Sequence, residues 1–170
     1  LSDKPKNKKQ FDLTIINAKS PEINRKNFEQ GKFDIIFNLE NNERQDFIHQ
    51  RNSGLNQILC RLAKTKYTCI GISFSNILER KSFDRAKLIG RIEQNLELCI
   101  KYKLNVVFAS FASRPEQMRS PQDLRAFINC ICNNEKLSKE ALTNLFLILE
   151  ENIKKKDKNY ISKDFKVIEE

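Results

Sequence analysis

A single histidine, His49, is the only imidazole in the 170 residues, so a metal centre or general-base site must be built around it or without it. The carboxylates such a site would draw on are Asp34, Glu40 and Asp84. Together with His49 they define one reading of the chain, a residual metal-dependent phosphoesterase. His49 stands in Asp46-Phe47-Ile48-His49-Gln50-Arg51-Asn52-Ser53-Gly54, directly ahead of an amphipathic stretch. A hydrogen-bonded orienting role and a general-base role are both open to it there, and Asn52 or Ser53 is expected to cap the helix that follows. Ser73, Ser75, Ser110 and Ser113 fall at or after strand-like runs, but none has the Gly-x-Ser-x-Gly context of an activated nucleophile. They read as small residues for close packing or as hydroxyls offered to phosphate. Four glycines, none spaced as GxGxxG or GxxxxGK[ST], argue against dinucleotide and P-loop chemistry, which needs backbone close to phosphate.

Five cysteines, Cys60, Cys69, Cys99, Cys130 and Cys132, are odd in number, lie in apolar stretches and form no C-x-x-C pair. Buried reduced thiols in a cytosolic protein are the expected state, in preference to a zinc site. What the chain has in quantity is positive charge: 31 Lys and Arg against 22 Asp and Glu, a net charge of +9 and a pI near 9.4. That balance suits a polyanionic partner, although charge alone does not separate RNA from DNA or an anionic membrane. No apolar run approaches the roughly 20 residues of a membrane span, so a soluble protein is expected.

The cations gain meaning from the elements that carry them. Short β-rich runs occur at FDLTII (11–16), FDIIFNL (33–39), TCIGISFS (68–75), NVVFASF (105–111) and FKVIEE (165–170). Helical stripes lie between them: Leu55, Ile58, Leu59, Leu62 and Ala63; Ile89, Ile92, Leu96 and Ile100; Leu124, Phe127, Ile128 and Ile131; Leu142, Leu145, Phe146, Leu149 and Ile153. On the long segment that carries the second stripe, residues 84–102, Arg85, Lys87, Arg91 and Lys101 are placed on the outward side. Ser20-Pro21 and Ser120-Pro121 each put an acceptor at an N-cap and a proline at N1, with Asp123 following in a dipole-favoured first turn. Strand alternating with helix predicts a parallel sheet covered by helices in one α/β domain, residues 1–170, with a basic stretch at 1–10. Periodicity leaves open whether the sheet is doubly wound or part of a (β/α) barrel. Either way the loops after successive strands gather on one face. Arg44, Arg51, Arg80, Arg85, Lys87, Arg114, Arg119 and Arg125 lie in or beside those loops, and a shared cationic face is the hypothesis. The run Lys154-Lys155-Lys156-Asp157-Lys158 reads as solvated surface.

Over Phe33 to Ile131 the stretches FDIIFN, DFIHQRNSGLNQILCRLAK, GISFSNIL, DRAKLIGRIEQNLELCIKYKLNVVFASFA and MRSPQDLRAF resemble ribonuclease P protein component 3 of the archaeal type. LFLILEENIKKK and YISKDFKVIEE resemble that family's last helix and final strand. The resemblance implies an α/β fold, a parallel (β/α) barrel of the TIM-like type related to polymerase-and-histidinol-phosphatase (PHP) phosphoesterases. It further implies a subunit that binds ribonuclease P RNA and precursor tRNA, pairs with ribonuclease P protein component 2 and supports tRNA 5′ maturation while the RNA does the catalysis. A homodimer or heterotetramer, a cytoplasmic location and no membrane contact go with that picture. Where a metal-bearing relative would show Ser-Asp-Ala-His, this chain has Ser110-Phe111-Ala112-Ser113, so no catalytic residue, metal or cofactor is expected in it.

Matched by motif, Arg51, Arg85, Lys87 and Arg119 are the expected phosphate contacts, and Arg114 joins them. His49, Asn52, Ser120 and Asp123 are expected to orient, with the last two capping the helix that follows Arg119. Family members usually carry a further strand and helix unit ahead of the segment resembling FDLTII, so a barrel incomplete or shortened at its N-terminus is expected, its open edge covered by a partner. A scaffold that touches only protein is the remaining alternative.

Overall fold

The computed structural model describes residues 12–156 and the backbone of 160–162 and 165–166. The expected basic stretch at 1–10, Lys158 and the last residues of FKVIEE lie outside the described residues. Four parallel strands form the frame: β1 (Ile15–Asn17), β2 (Ile35–Phe37), β3 (Cys69–Ser73) and β4 (Val106–Ala109), in the spatial order β1-β2-β3-β4. Ile35 sits opposite Ile15 and Cys69, and Ile70 opposite Ile36 and Val106.

The connecting helices are α1 (Pro21–Gln30), α2 (Gln57–Lys66), α3 (Phe74–Glu79), α4 (Ser82–Tyr102) and α5 (Pro121–Cys132), followed by α6 (Glu135–Lys154). A strand order that never reverses, joined by crossovers of one hand, puts the crossover helices on one face of the sheet. The core shows it: Ile36, Ile70, Ile72, Val106 and Phe108 pack with Phe28 of α1, Leu59 and Ala63 of α2, Ile92 and Leu96 of α4, and Ile128 of α5. The alternate strand residues Ile35, Cys69 and Val107 meet Leu145 and Ile148 of α6 on the other face. That order separates the two topologies left open by periodicity. A doubly wound sheet reverses at a switch point, whereas consecutive barrel units run in sequence. The fold is α/β of the parallel (β/α) barrel type.

Several boundaries differ from the sequence expectation. Phe74 and Ser75, read as strand, form the first turn of α3. FKVIEE, read as a fifth parallel strand, contributes β6 (Phe165–Lys166), which pairs antiparallel with β5 (Tyr160–Ser162) in a separate hairpin. Ser20 and Ser120 cap α1 and α5 as expected, accepting from Ile23 and Asp123 N–H at 3.4 and 3.1 Å. The α2 cap is neither Asn52 nor Ser53 but Asn56, whose Oδ1 accepts from Leu59 N–H at 2.9 Å. Cys60, Cys69 and Cys99 are buried free thiols, whereas Cys130 is exposed because it faces away from α5's packed Leu124–Ile128 side, and Cys132, one turn beyond Ile128 on that side, is half-buried against the core. Burial pushes the Cys60 thiol up to about 11 and Cys69 up to about 12, so both stay protonated and serve packing. None of the helices in the described residues is long and apolar enough to cross a membrane.

Candidate nucleic-acid interface

Parallel strands all end on the same side, and the functional candidates collect where β1 to β4 stop. Three asparagines bridge those ends. Asn38, in the left-handed region at φ 66°, donates from Nδ2 to Asn17 Oδ1 at 3.0 Å and accepts from Asn76 Nδ2 at 2.5 Å. The rings of Phe37 and Phe111 stack beside them with centroids 4.7 Å apart. Neutral amides neither titrate nor supply anionic metal ligands, so this ladder ties strand ends together. The serines are likewise engaged: Ser75 Oγ donates to the Phe111 carbonyl at 3.1 Å, and Ser110 Oγ accepts from Arg119 N–H at 3.2 Å.

The four groups of a residual phosphoesterase do not converge. Asp34 stands at the opposite end of the sheet, ahead of β2, with its carboxylate accepting from Thr14 N–H at 2.8 Å. Glu40 is completely buried, His49 is exposed on a loop, and Asp84 lies in the first turn of α4. Among the described residues no three His, Cys, Asp or Glu side chains are grouped so as to hold a metal ion.

The loop from Asn38 to Asn56 dominates this end of the molecule, and it is built around Arg91, which the sequence reading placed on the outer side of its helix. Arg91 is 3 % exposed. Its Nε donates to Asp46 Oδ1 at 2.8 Å, its Nη1 to the carbonyls of Glu40 and Asn42 at 3.1 and 2.8 Å, and its Nη2 to the Arg44 carbonyl. Burial pushes the Asp46 carboxyl up, but the hydrogen bonds from Arg91 and Asn52 N–H, with the charges of Arg91 and Lys87, outweigh it and hold the group below its ordinary value. Gln94 pins the next stretch, donating to the Arg51 carbonyl at 3.0 Å and to Ser53 Oγ at 2.8 Å and accepting from Arg51 N–H. Gly54, at φ 78°, passes so close to Leu39 that a Cβ there would lie 2.1 Å from the Leu39 carbonyl oxygen. Gly90 plays the matching part on α4: its missing Cβ leaves the space in which the Arg51 guanidinium lies, 2.4 Å from where that Cβ would be.

Two hollows flank the loop. One, of about 380 Å³, runs between the starts of α1 and α2 and is lined by Arg25, Arg44, Phe47, Gln50 and Arg51. The other, of about 350 Å³, lies toward α4 and is lined by Glu43, Arg80, Asp84 and Lys87. Arg80 there donates to Asn41 Oδ1 at 2.8 Å. The expected phosphate contacts are therefore spread along one rim in three places. Arg51 lines the first hollow with Arg25 and Arg44 while its guanidinium reaches to Gly90 of α4, Lys87 stands in the second, and Arg114 and Arg119 follow β4. Arg119 donates to the carbonyls of Glu116 and Met118 at 2.8 and 2.7 Å and stands over the Phe74 ring at 5.9 Å. Arg85 is already engaged, giving Nε to the carbonyls of Ile77 and Arg80 at 3.0 and 2.8 Å, and so closes the end of α3. Asn52 holds the loop through Asp46 and the Gln45 carbonyl, at 2.7 and 3.3 Å. His49 is exposed and has no hydrogen-bond partner among the described residues. Arg25, Phe47 and Gln50 were missed by sequence reasoning. An aromatic between two arginines in a polar loop was the available signal for Phe47.

The family model described as RNase P subunit p30 matches residues 1–157. Ribonuclease P protein component 3 of Methanococcus maripaludis is 28 % identical over 165 residues, covering 97 % of this chain and 68 % of the relative. The protein of the same name from Methanosarcina acetivorans is 31 % identical over 161 residues, covering 94 % and 63 %. In fold, the chain is similar to one in a cryo-EM structure of archaeal ribonuclease P with mature tRNA, with a TM-score of 0.80 at 24 % identity over 95 % of this chain and 66 % of the other. The chain thus spans about two thirds of the length of the relatives it matches.

Proposed function

The chain belongs to the RNase P subunit p30 family, and from that premise we propose that it is an RNA-binding protein subunit of ribonuclease P that supports 5′ maturation of precursor tRNA. The observation that carries the RNA contact is the gathering of Arg25, Arg44 and Arg51 along one hollow on the rim where the parallel strands end. Guanidinium groups make paired, charge-assisted hydrogen bonds to phosphate oxygens, and each phosphate neutralised releases counterions. Arg114, Arg119 and Lys87 extend the positive rim to either side, while Arg85, Asn52, Ser120 and Asp123 hold the elements that present it. Bond cleavage is assigned to the RNA. In this reading the chain works as one (β/α) domain with a basic N-terminal stretch, in the cytoplasm, beside ribonuclease P protein component 2 in a homodimeric or heterotetrameric assembly.

A filter-binding titration of the protein against ribonuclease P RNA at several salt concentrations tests this. Affinity is expected to fall steeply with salt, by about 0.7 to 0.9 log units per tenfold change in salt for each phosphate contacted. Negligible binding at low salt would overturn the proposal.

A further inference from the structure

Of the four large apolar side chains in the loop 38–56, Leu39 and Leu55 are buried, but the two at its tip are not: Phe47 is 71 % exposed and Ile48 95 %. Placing a phenyl ring in water sacrifices the transfer free energy its burial would provide, so its rigid presentation calls for a reason. The presentation is rigid. Asp46, the residue before Phe47, is gripped by Arg91 and by Asn52 N–H, and Phe47 N–H donates to the Gln50 carbonyl at 2.9 Å. Asn42 Nδ2 ties the two limbs of the loop, donating to the carbonyls of Leu39 and Asn52 at 3.1 and 2.8 Å. The ring forms one wall of the 380 Å³ hollow, with Arg25, Arg44 and Arg51 around it and the Gln50 amide beside it. The acid in that hollow, Glu22, lies 3.6 Å from Arg44 and is kept ionised, its carboxyl lowered first by its own backbone N–H and then by Ser20 and Arg44. Glu29, one turn further along α1, pairs with Arg25 at 3.0 Å, so three arginines meet two carboxylates and the hollow keeps a net positive charge.

From this arrangement we propose that the hollow between α1 and α2 takes an unstacked, single-stranded nucleotide of the RNA, its base stacked on Phe47 and its flanking phosphates held by Arg44 and Arg51. The inference rests on the RNA-binding reading above and specifies which part of the RNA meets this site. A duplex offers the rim only its phosphates, and an aromatic ring gains nothing from those. A looped-out or terminal nucleotide offers a π-face together with backbone charge, the combination that aromatic and arginine side chains recognise in single strands. The size agrees: the hollow is in the range of small-ligand sites and far too narrow for a double helix.

Fluorescence anisotropy with a labelled oligouridine and with a perfectly paired RNA hairpin of equal charge distinguishes the cases. Phe47→Ala is expected to weaken oligouridine binding roughly tenfold, with an unchanged salt slope and unchanged hairpin affinity, and Phe47→Tyr to restore it. Phe47→Leu, which keeps the apolar surface without the π-face, is expected to behave like the alanine variant. Arg44→Gln with Arg51→Gln should weaken both probes and flatten the salt dependence. If Phe47→Ala leaves oligouridine affinity untouched while the arginine variant still loses both probes, the nucleotide pocket is refuted and the RNA-binding function stands. Loss of binding to ribonuclease P protein component 2 on Phe47→Ala, with oligouridine affinity intact, would also refute it and make the tip a protein contact. Failure of the unaltered protein to bind any RNA removes both proposals.

Discussion

Glu40 is a carboxyl with no exposed surface and no hydrogen-bond partner for either oxygen. Burial raises its pKa from 4.5 to about 7. The folded protein therefore holds this proton more tightly than the unfolded chain, and the associated stability is present at pH 4.5 and is lost as pH rises toward 7. The difference amounts to about 3 kcal/mol. Urea unfolding between pH 4.5 and 8 should show stability declining up to about pH 7 and level above it, and Glu40→Gln should remove the decline and stabilise the protein at pH 8. A Glu40→Gln variant with an unaltered pH profile would contradict this. Neither Glu40 nor Arg91 was legible as buried in the sequence. Arg91 lies on the inward face by helical period, three residues after Leu88 and four before Asn95, yet a charge in that register looks like an outward residue until partners 45 to 51 positions away are known. Burial of a charge is decided by long-range partners, which periodicity does not carry.

At the scale of elements, α4 acts as the post on which the loop 38–56 is hung, and Arg91 is the principal tie. Replacing it with methionine keeps most of the volume but strands Asp46 and the carbonyls of Glu40, Asn42 and Arg44. A loss of about 3 kcal/mol follows from leaving buried polar partners unsatisfied. Hydrogen exchange localises the effect: amides of residues 41–53 should exchange faster in Arg91→Met while those of β3 and β4 stay protected. Uniform acceleration across the sheet, or none in the loop, would contradict the role given to Arg91. The helices and strands themselves were largely legible, because the sheet is packed on one face by stripes of period 3.6, and Ser20-Pro21 and Ser120-Pro121 punctuate their helices as capping chemistry requires. The loop was not, since it has no period and is held by side-chain to backbone bonds. The last strand was misread because an apolar run gives the strand but not its partner, here the antiparallel β5.

For the whole molecule, the excess of cations and the β/α alternation were both legible, and together they place positive charge where parallel strands end. Invisible was how the rim is subdivided, which depends on Arg51 lying against Gly90, on Arg85 being taken up by α3, and on the way the loop divides two hollows. The central claim is that position on the rim, and not total charge, sets RNA affinity. The most direct test compares two triple variants that lose the same charge. One is Arg25→Gln/Arg44→Gln/Arg51→Gln. The other is Lys32→Gln/Lys66→Gln/Lys101→Gln, whose side chains are exposed toward the opposite end of the sheet. Titrated against ribonuclease P RNA across a salt series, the arginine variant should bind far more weakly, with a log–log slope shallower by about two to three, and the lysine variant should follow the unaltered protein closely. Equal losses in both variants, or a larger loss in the lysine variant, would contradict the claim.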